Sequence, residues 1–236
     1  MGLIDVLNNF SLKKKERKDL SKEDQFTALQ EPPQEFKEVA KAILSGHFLV
    51  ENATDDDVRR VYPTCIEIYY HEEQDNGVKD PIIYHRNRKK KSGNDSPGVF
   101  PLGVLHNHVS GIDITFEKDA NAVTGVVRAS ALIREFMVKD KDGNIIKAVK
   151  NGKESDTDDR STYLYQALFG QFSIFDGFTI KWEDDKEKDL DNIKLLCKYR
   201  KNVMKYENPH SGEYDYHKTD IQCNRAWQFL IDNTNK

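Results

Sequence analysis

The run Cys65-Ile66-Glu67-Ile68-Tyr69-Tyr70 is rich in β-branched and aromatic residues, a composition typical of a β-strand. Successive side chains of a strand point to opposite faces, so Glu67 and Tyr69 share one face. A carboxylate at such a position most often points to solvent. If Glu67 instead faces a pocket, it is a candidate general base, and Tyr69 offers a flat surface for stacking.

The segments on either side of this run predict a mixture of helices and strands. Upstream, apolar residues recur at helical spacing from Phe36 to Leu44 and stop at Gly46, which suits a helix end, and residues 47–50 are typical of a short strand. Downstream, the pattern predicts strands over 103–109, 112–116 and 125–136, a helix over 161–170, a Phe-rich strand up to Trp182, a helix over 191–199, and a closing apolar run over 226–231.

The length of 236 residues is compatible with one folded domain that carries tails. Residues 1–35 are polar, end at Pro32-Pro33, and are interpreted as an N-terminal arm. The domain itself is expected over 36–236, with 183–236 as a charged C-terminal extension. Because no apolar run approaches the roughly 20 residues that a membrane span needs, we expect a cytoplasmic protein without a membrane partner. Three widely spaced cysteines predict reduced thiols.

A net charge of -4 weighs against tight, non-specific binding to DNA, so any contact with phosphate must come from a local patch. The strongest such patch is Arg86-Asn87-Arg88-Lys89-Lys90-Lys91. A solvated loop is the plain alternative for a run of this kind.

Two further patterns are candidates for chemistry. His106 and His108 project to one face of a predicted strand, a spacing compatible with two metal ligands, with Asp113 or Glu117 as a third. Histidine pairs of this kind also occur in hydrogen-bonded cores, and no other metal pattern supports the site. Arg128 lies inside an apolar run, where a buried arginine usually needs a carboxylate partner, and Glu67 is the partner that we expect.

In their order and spacing, these segments resemble the 3-methyladenine (alkylpurine) DNA glycosylases of the mammalian alkyladenine type. The resemblance covers roughly residues 36 to 182. Its motifs are the helix, glycine and strand over 39–50, the Glu-x-Tyr strand Ile66-Glu67-Ile68-Tyr69, the Arg-Asn loop Arg86-Asn87-Arg88, the strand over 104–113, the Leu-Arg-Ala equivalent Val127-Arg128-Ala129, and the helix Leu164-Tyr165-Gln166-Ala167-Leu168.

The resemblance implies a single α+β domain around a curved, mostly antiparallel sheet with peripheral helices. It implies a monomeric enzyme that flips a damaged purine out of double-stranded DNA and hydrolyses its glycosidic bond with an activated water, without metal or cofactor. In a bacterium such a protein would be associated with the nucleoid.

By the same resemblance, each candidate residue has a role. Glu67 would activate the water, and Arg128 would keep the carboxylate of Glu67 ionised and oriented. Tyr69 would stack on the extruded base or fill the gap in the duplex, and His106, His108 and Asp113 would line the base pocket. Phosphates would be bound by the residues of the basic run, Arg86, Asn87, Arg88, Lys89 and Lys90.

Some positions depart from the family pattern and leave two alternatives open. Asp113 stands where the family has an asparagine, and an ionised carboxylate only accepts hydrogen bonds whereas an amide also donates them. The segment 105–111 also lacks the family's aromatic residues. One alternative is a catalytically inactive relative that binds nucleic acid or protein; the other is a metal-dependent hydrolase built on His106, His108 and Asp113.

Overall fold

A computed structural model of the chain describes residues 1–12, 32–52, 58–72, 78, 80, 83, 99–108, 110–118, 126–173, 175, 177–185, 190–200 and 225–232. Within these residues the α-helices are α1 (Leu3–Asn9), α2 (Gln34–Ser45) and α3 (Ser161–Phe169). The strands are β1 (Gly46–Asn52), β2 (Val58–Glu72), β3 (Leu105–His108), β4 (Gly111–Thr115), β5 (Val127–Lys139), β6 (Ile145–Ile146), β7 (Ala148–Lys150), β8 (Lys153–Ser155), β9 (Phe178–Asp184), β10 (Leu195–Lys198) and β11 (Gln228–Ile231). A short 3-10 helix, Leu190–Asn192, precedes β10.

One strongly curled sheet of nine strands dominates the described part of the chain. Its main path is β10-β11-β2-β5-β4-β3; β1 also pairs with β2, β9 with β1, and β6 with β5. Each of these pairings is antiparallel. The strands β7 and β8 form a separate hairpin. The predicted α+β class with a curved, mostly antiparallel sheet is therefore confirmed.

The hydrophobic core lies between one face of the sheet and the helices. The apolar stripe that predicted α2 is buried in this core, with Phe36 packed against Tyr70 of β2 at 5.5 Å between ring centroids. On the same face of β2, Ile66 and Ile68 are fully buried. Because side chains alternate along a strand, Glu67 and Tyr69 must lie on the other face.

The prediction that residues 1–35 form a polar arm is wrong for residues 1–12. Apolar side chains of this segment belong to the core, and the ring of Phe10 lies 5.0 Å from that of Phe116 and 6.0 Å from that of Phe36. Lys118 donates from its ammonium to the carbonyl oxygens of Asn8 and Phe10 at the end of α1. Such a contact suits the carbonyl end of a helix, whose last oxygens lack partners within the helix. Residues 13–31 lie outside the described part of the chain.

Within the C-terminal segment, the described strands β10 and β11 are also part of the sheet rather than an added extension. The predicted helix over 191–199 is wrong: Leu195 and Cys197 alternate with exposed neighbours and pack against the core as strand β10. Strand β11 lies between β10 and β2, and Trp227 and Phe229 are fully buried. Side chains that face the core alternate with exposed ones in β10, but this strand is short and the surrounding residues are charged. The alternation is therefore too brief to be recognised from the sequence.

Among the helices that the structure describes, none combines the length and the apolar character that crossing a membrane requires. Of the three cysteines, Cys65 is buried and Cys197 is half-buried, and both are free thiols. Cys223 lies outside the described residues.

Candidate functional site on the polar face of the sheet

The face of the sheet opposite α1 and α2 carries a dense set of buried polar side chains. Neighbouring strands β2, β5 and β4 all contribute to it, because their register aligns the polar positions on the same face. The buried members are Glu67 and His71 on β2, Arg128 and Ser130 on β5, Asp113 and Thr115 on β4, Gln228 on β11, and Asp80, Glu117 and Arg200 in the connecting segments.

Several candidate residues form one row across this face. Gln228 lies opposite Glu67, and Glu67 lies opposite Leu132. Leu132 lies opposite Asp113, which in turn lies opposite His106. The row crosses β11, β2, β5, β4 and β3. Glu67 therefore lies in the same row as Asp113 and His106, although it is distant from them in the sequence and belongs to a different sequence motif.

The carboxylate of Glu67 is the centre of a compact polar cluster. Its side chain is 0% exposed, and its Oε2 accepts a hydrogen bond from the Tyr69 hydroxyl at 2.7 Å. The same oxygen lies 2.7 Å from Nη2 of Arg134, which is also 3.4 Å from the Tyr69 hydroxyl oxygen. A buried carboxylate held by a cation and a hydroxyl group has one fixed orientation.

The cation that pairs with Glu67 is Arg134, so the predicted pairing of Glu67 with Arg128 is wrong. In the register Arg128 lies opposite His71, four residues along β2 from Glu67, which is about 13 Å of strand. Arg128 instead donates to Oε2 of Glu117 at 3.1 Å, and both side chains are buried.

A change of register explains why Arg134 reaches Glu67. Ile66 lies opposite Ile133, whereas Cys65 lies opposite Glu135, so Arg134 occupies the irregular position between two paired residues. Irregularities of this kind bend the strand and redirect side chains. One feature of the sequence could have indicated this. Arg134, like Arg128, interrupts an apolar run, and the two arginines are separated by an even number of positions, which predicts that both lie on the same face of a strand.

Tyr69 is fixed from a second direction by the C-terminal segment. The guanidinium of Arg200 lies over the Tyr69 ring, 4.7 Å from its centroid, and forms two hydrogen bonds with Asp80 at 2.6 and 3.2 Å. The backbone NH of Asp80 donates to Nδ1 of His71 at 3.1 Å. One ring face of Tyr69 is therefore covered, and its hydroxyl group is engaged.

The titration properties of this cluster follow from burial and from its neighbours. Burial, and then the charge of Glu67, raise the pKa of Tyr69, so the phenol stays protonated at neutral pH and remains a donor. Burial is the largest single influence on the pKa of Arg134 and lowers it, but the charge of Glu67 and the hydrogen bonds to Glu67 and Tyr69 together raise that pKa above its ordinary value. Both donors to Glu67 therefore persist across the physiological range.

The remaining candidate residues are placed as follows. Asp113 is buried, and His106 packs on Phe100 at 4.5 Å between ring centroids. The backbone of His108 belongs to β3, opposite Gly111. Among the described side chains, which do not include that of His108, no group of three or more His, Cys, Asp or Glu is arranged to hold a metal ion. The predicted phosphate-binding residues Arg86, Asn87, Arg88, Lys89 and Lys90 lie outside the described part of the chain.

A cavity of about 230 Å³ lies elsewhere, between α3, β5 and the segment that includes β7 and β8. Its lining includes Phe136, Val138 and Ala167, with the ion pair of Lys147 and Asp156 at its side. It lies away from the row through Glu67, and we assign the candidate site to the polar face because the convergent charged groups are there.

Comparison with protein-family models, curated proteins and solved structures found no match to this chain.

Proposed function

We propose that this protein is a base-excision glycosylase that hydrolyses the glycosidic bond of a flipped, damaged purine in double-stranded DNA. The observation that carries the proposal is the Glu67 carboxylate, buried and held by Arg134 and the Tyr69 hydroxyl. The ordered motifs that resemble the alkylpurine glycosylases support the same role for this residue. In this proposal Arg134 takes the part that the sequence suggested for Arg128.

The proposed chemistry needs an ionised carboxylate in a fixed orientation. Glu67 accepts a proton from water as the water attacks the sugar carbon, and the purine leaves with the electron pair of the broken bond. Arg134 forms an ion pair with the carboxylate before the attack, and the Tyr69 hydroxyl fixes the orientation of the carboxylate. Asp113 and His106 lie on the same row as Glu67 and are the groups that we expect to contact the edge of the base. The apolar side chain of Leu132 lies between Glu67 and Asp113 in this row.

A second candidate function is a binding module that does not turn over substrate. The observation that favours it is the complete burial of Glu67, because a nucleotide can reach this carboxylate only if the residues that cover it move. In that case the ion pairs on this face would serve the fold, and any nucleic acid or protein partner would bind elsewhere on the surface.

Release of free base from duplex oligonucleotides tests the first candidate. The duplexes carry hypoxanthine, ethenoadenine or 3-methyladenine, and a chelator is present throughout. We expect wild-type protein to release at least one base, and Glu67→Gln to slow that release by roughly 10²- to 10⁴-fold, the usual contribution of a general base. Arg134→Met should also slow the release.

Glu72→Gln is the matched control, because Glu72 is a buried carboxylate on the opposite face of the same strand and accepts a hydrogen bond from Tyr70 at 2.8 Å. Circular dichroism checks that each variant is folded. Equal loss in Glu67→Gln and Glu72→Gln would assign both residues to stability. No release from any lesion by folded wild-type protein would reject the enzyme, and duplex binding measured by fluorescence anisotropy would then support the binding module.

A further inference from the structure

Arg200 is a fully buried cation on the polar face, and it has no part in the proposed reaction. Its side chain is 0% exposed, and so is that of Asp80, with which it forms a two-pronged ion pair. Its Nη1 also donates to the backbone oxygen of Ile68 at 3.3 Å. Burying two charges is costly unless the geometry satisfies them, and this geometry does so while it fixes the plane of the guanidinium.

That plane lies against the ring of Tyr69. The guanidinium carbon of Arg200 is 4.7 Å from the Tyr69 centroid and 5.3 Å from the Trp227 centroid, so it contacts two aromatic rings at once. A guanidinium over an aromatic face is an attractive contact. The ring of Tyr69 is consequently held at its face by Arg200 and at its hydroxyl by Glu67.

A continuous series of contacts leads from Asp80 to the candidate carboxylate of Glu67. Asp80 holds Arg200, Arg200 holds the Tyr69 ring, and the Tyr69 hydroxyl holds Glu67. Arg200 belongs to the segment after residue 182, where the resemblance to the glycosylases ends. Nothing in that resemblance therefore assigns a role to this arginine.

We propose that Arg200 is a positioning residue that orients Tyr69 and, through it, the carboxylate of Glu67. The proposal deepens the proposed function and rests on it for its effect on base release. The orientation of Tyr69 is a property of the protein alone, and it can be measured whether or not the protein is an enzyme.

The test uses two variants at this pair. Arg200→Met combined with Asp80→Asn removes both charges, so that no buried carboxylate is left unpaired and the variant can fold. Arg200→Lys keeps a positive charge for Asp80 but loses the planar group that covers the ring. In both, we expect the single-turnover rate of base release to fall roughly 10- to 100-fold, as for a small misplacement of a reacting group, with duplex affinity unchanged.

A second arginine provides a matched control. Arg160 also forms two hydrogen bonds with an aspartate, Asp158, at 2.6 and 2.9 Å, and also lies over a tyrosine, Tyr163, 3.6 Å from its centroid. It lies beside the separate cavity, away from Glu67. Arg160→Met combined with Asp158→Asn should therefore leave the rate of base release unchanged.

The orientation of Tyr69 is measured by NMR on protein labelled with ¹³C at Cζ of tyrosine, with the Tyr69 signal assigned from Tyr69→Phe. We expect this signal to move in both Arg200 variants and to stay in place in the Arg160 control. An unmoved signal would overturn the proposal even if the wild-type protein releases base. Full recovery of the release rate by Arg200→Lys would also overturn it, because charge alone would then suffice.

A moved signal in a protein that releases no base would leave Arg200 as the residue that orients Tyr69 and would reject the glycosylase instead. The two failures are therefore distinguishable.

Discussion

Two tyrosines of β2 make the same kind of contact on opposite faces of the strand. Tyr69 donates to Glu67 at 2.7 Å on the polar face, and Tyr70 donates to Glu72 at 2.8 Å on the core face. Each hydroxyl group serves a buried carboxylate two residues away. A comparison of Tyr69 with Tyr70 therefore distinguishes the contribution of such a hydrogen bond to stability from its contribution to function.

We expect Tyr69→Phe and Tyr70→Phe each to lower the free energy of unfolding by roughly 1.5–3 kcal/mol, the range for hydrogen bonds to charged groups. Only Tyr69→Phe should also slow base release, because only its partner is the proposed base. Urea unfolding and the oligonucleotide assay measure the two effects. If Tyr70→Phe slows release as much as Tyr69→Phe, the effect comes from stability and not from Glu67.

At the residue scale the sequence predicted part of the site and missed the rest for a physical reason. Strand alternation was enough to place Glu67 and Tyr69 on one face, and Asp113 and His106 are on that face too. The choice between Arg128 and Arg134 depends on a local irregularity in the pairing of β2 and β5. A register change is a property of two strands together, so neither strand's sequence reveals it alone.

At the scale of elements, α1 is the feature whose importance the sequence hid. Leu7 is 1% exposed in the core, whereas Ile4 on the same helix is 55% exposed. A helix of seven residues followed by a lysine-rich run is too short for a periodic pattern to stand out. The longer α2, with twelve residues and a continuous apolar stripe, was predicted correctly.

We expect Leu7→Ala to lower the free energy of unfolding by roughly 2–5 kcal/mol, because it removes a buried side chain and leaves a cavity. Ile4→Ala, on the solvent side of α1, should change it by less than about 0.5 kcal/mol. Chemical denaturation followed by circular dichroism gives both values. Similar small losses in the two variants would mean that α1 is detached from the core in solution.

At the scale of the whole molecule, described residues of the two segments interpreted from sequence as an arm and an extension share one core with the sheet. Residues of α1, β11 and α3 all belong to the same buried cluster. The sequence predicted the α+β class correctly because most strands and α2 have clear patterns. It misjudged the boundaries because polar and charged composition says little about which few residues are buried.

This shared core predicts a single cooperative unfolding transition, which the two tryptophans of the chain can report separately. Trp182 lies in β9, and Trp227 lies directly before β11, where its carbonyl oxygen accepts a hydrogen bond from the backbone of β2. Trp182→Phe leaves only the second reporter and Trp227→Phe only the first. In each variant we expect the fluorescence transition to coincide with that from circular dichroism. Separate midpoints within one variant would indicate an independently folding part.

The pairing of β11 with β2 also governs the order in which the chain can fold during synthesis. Gln228 lies beside Glu67 although about 160 residues separate them, so residues 65–67 keep an open edge while that length is translated, whereas residues 58–61 on the same edge of β2 pair with β1. At typical elongation speeds this lasts roughly 10–30 s. An open strand edge is a template for pairing with other chains. A nascent chain stalled before residue 228 would therefore expose the strand that carries Glu67 to aggregation, and would depend on chaperones until β11 emerged.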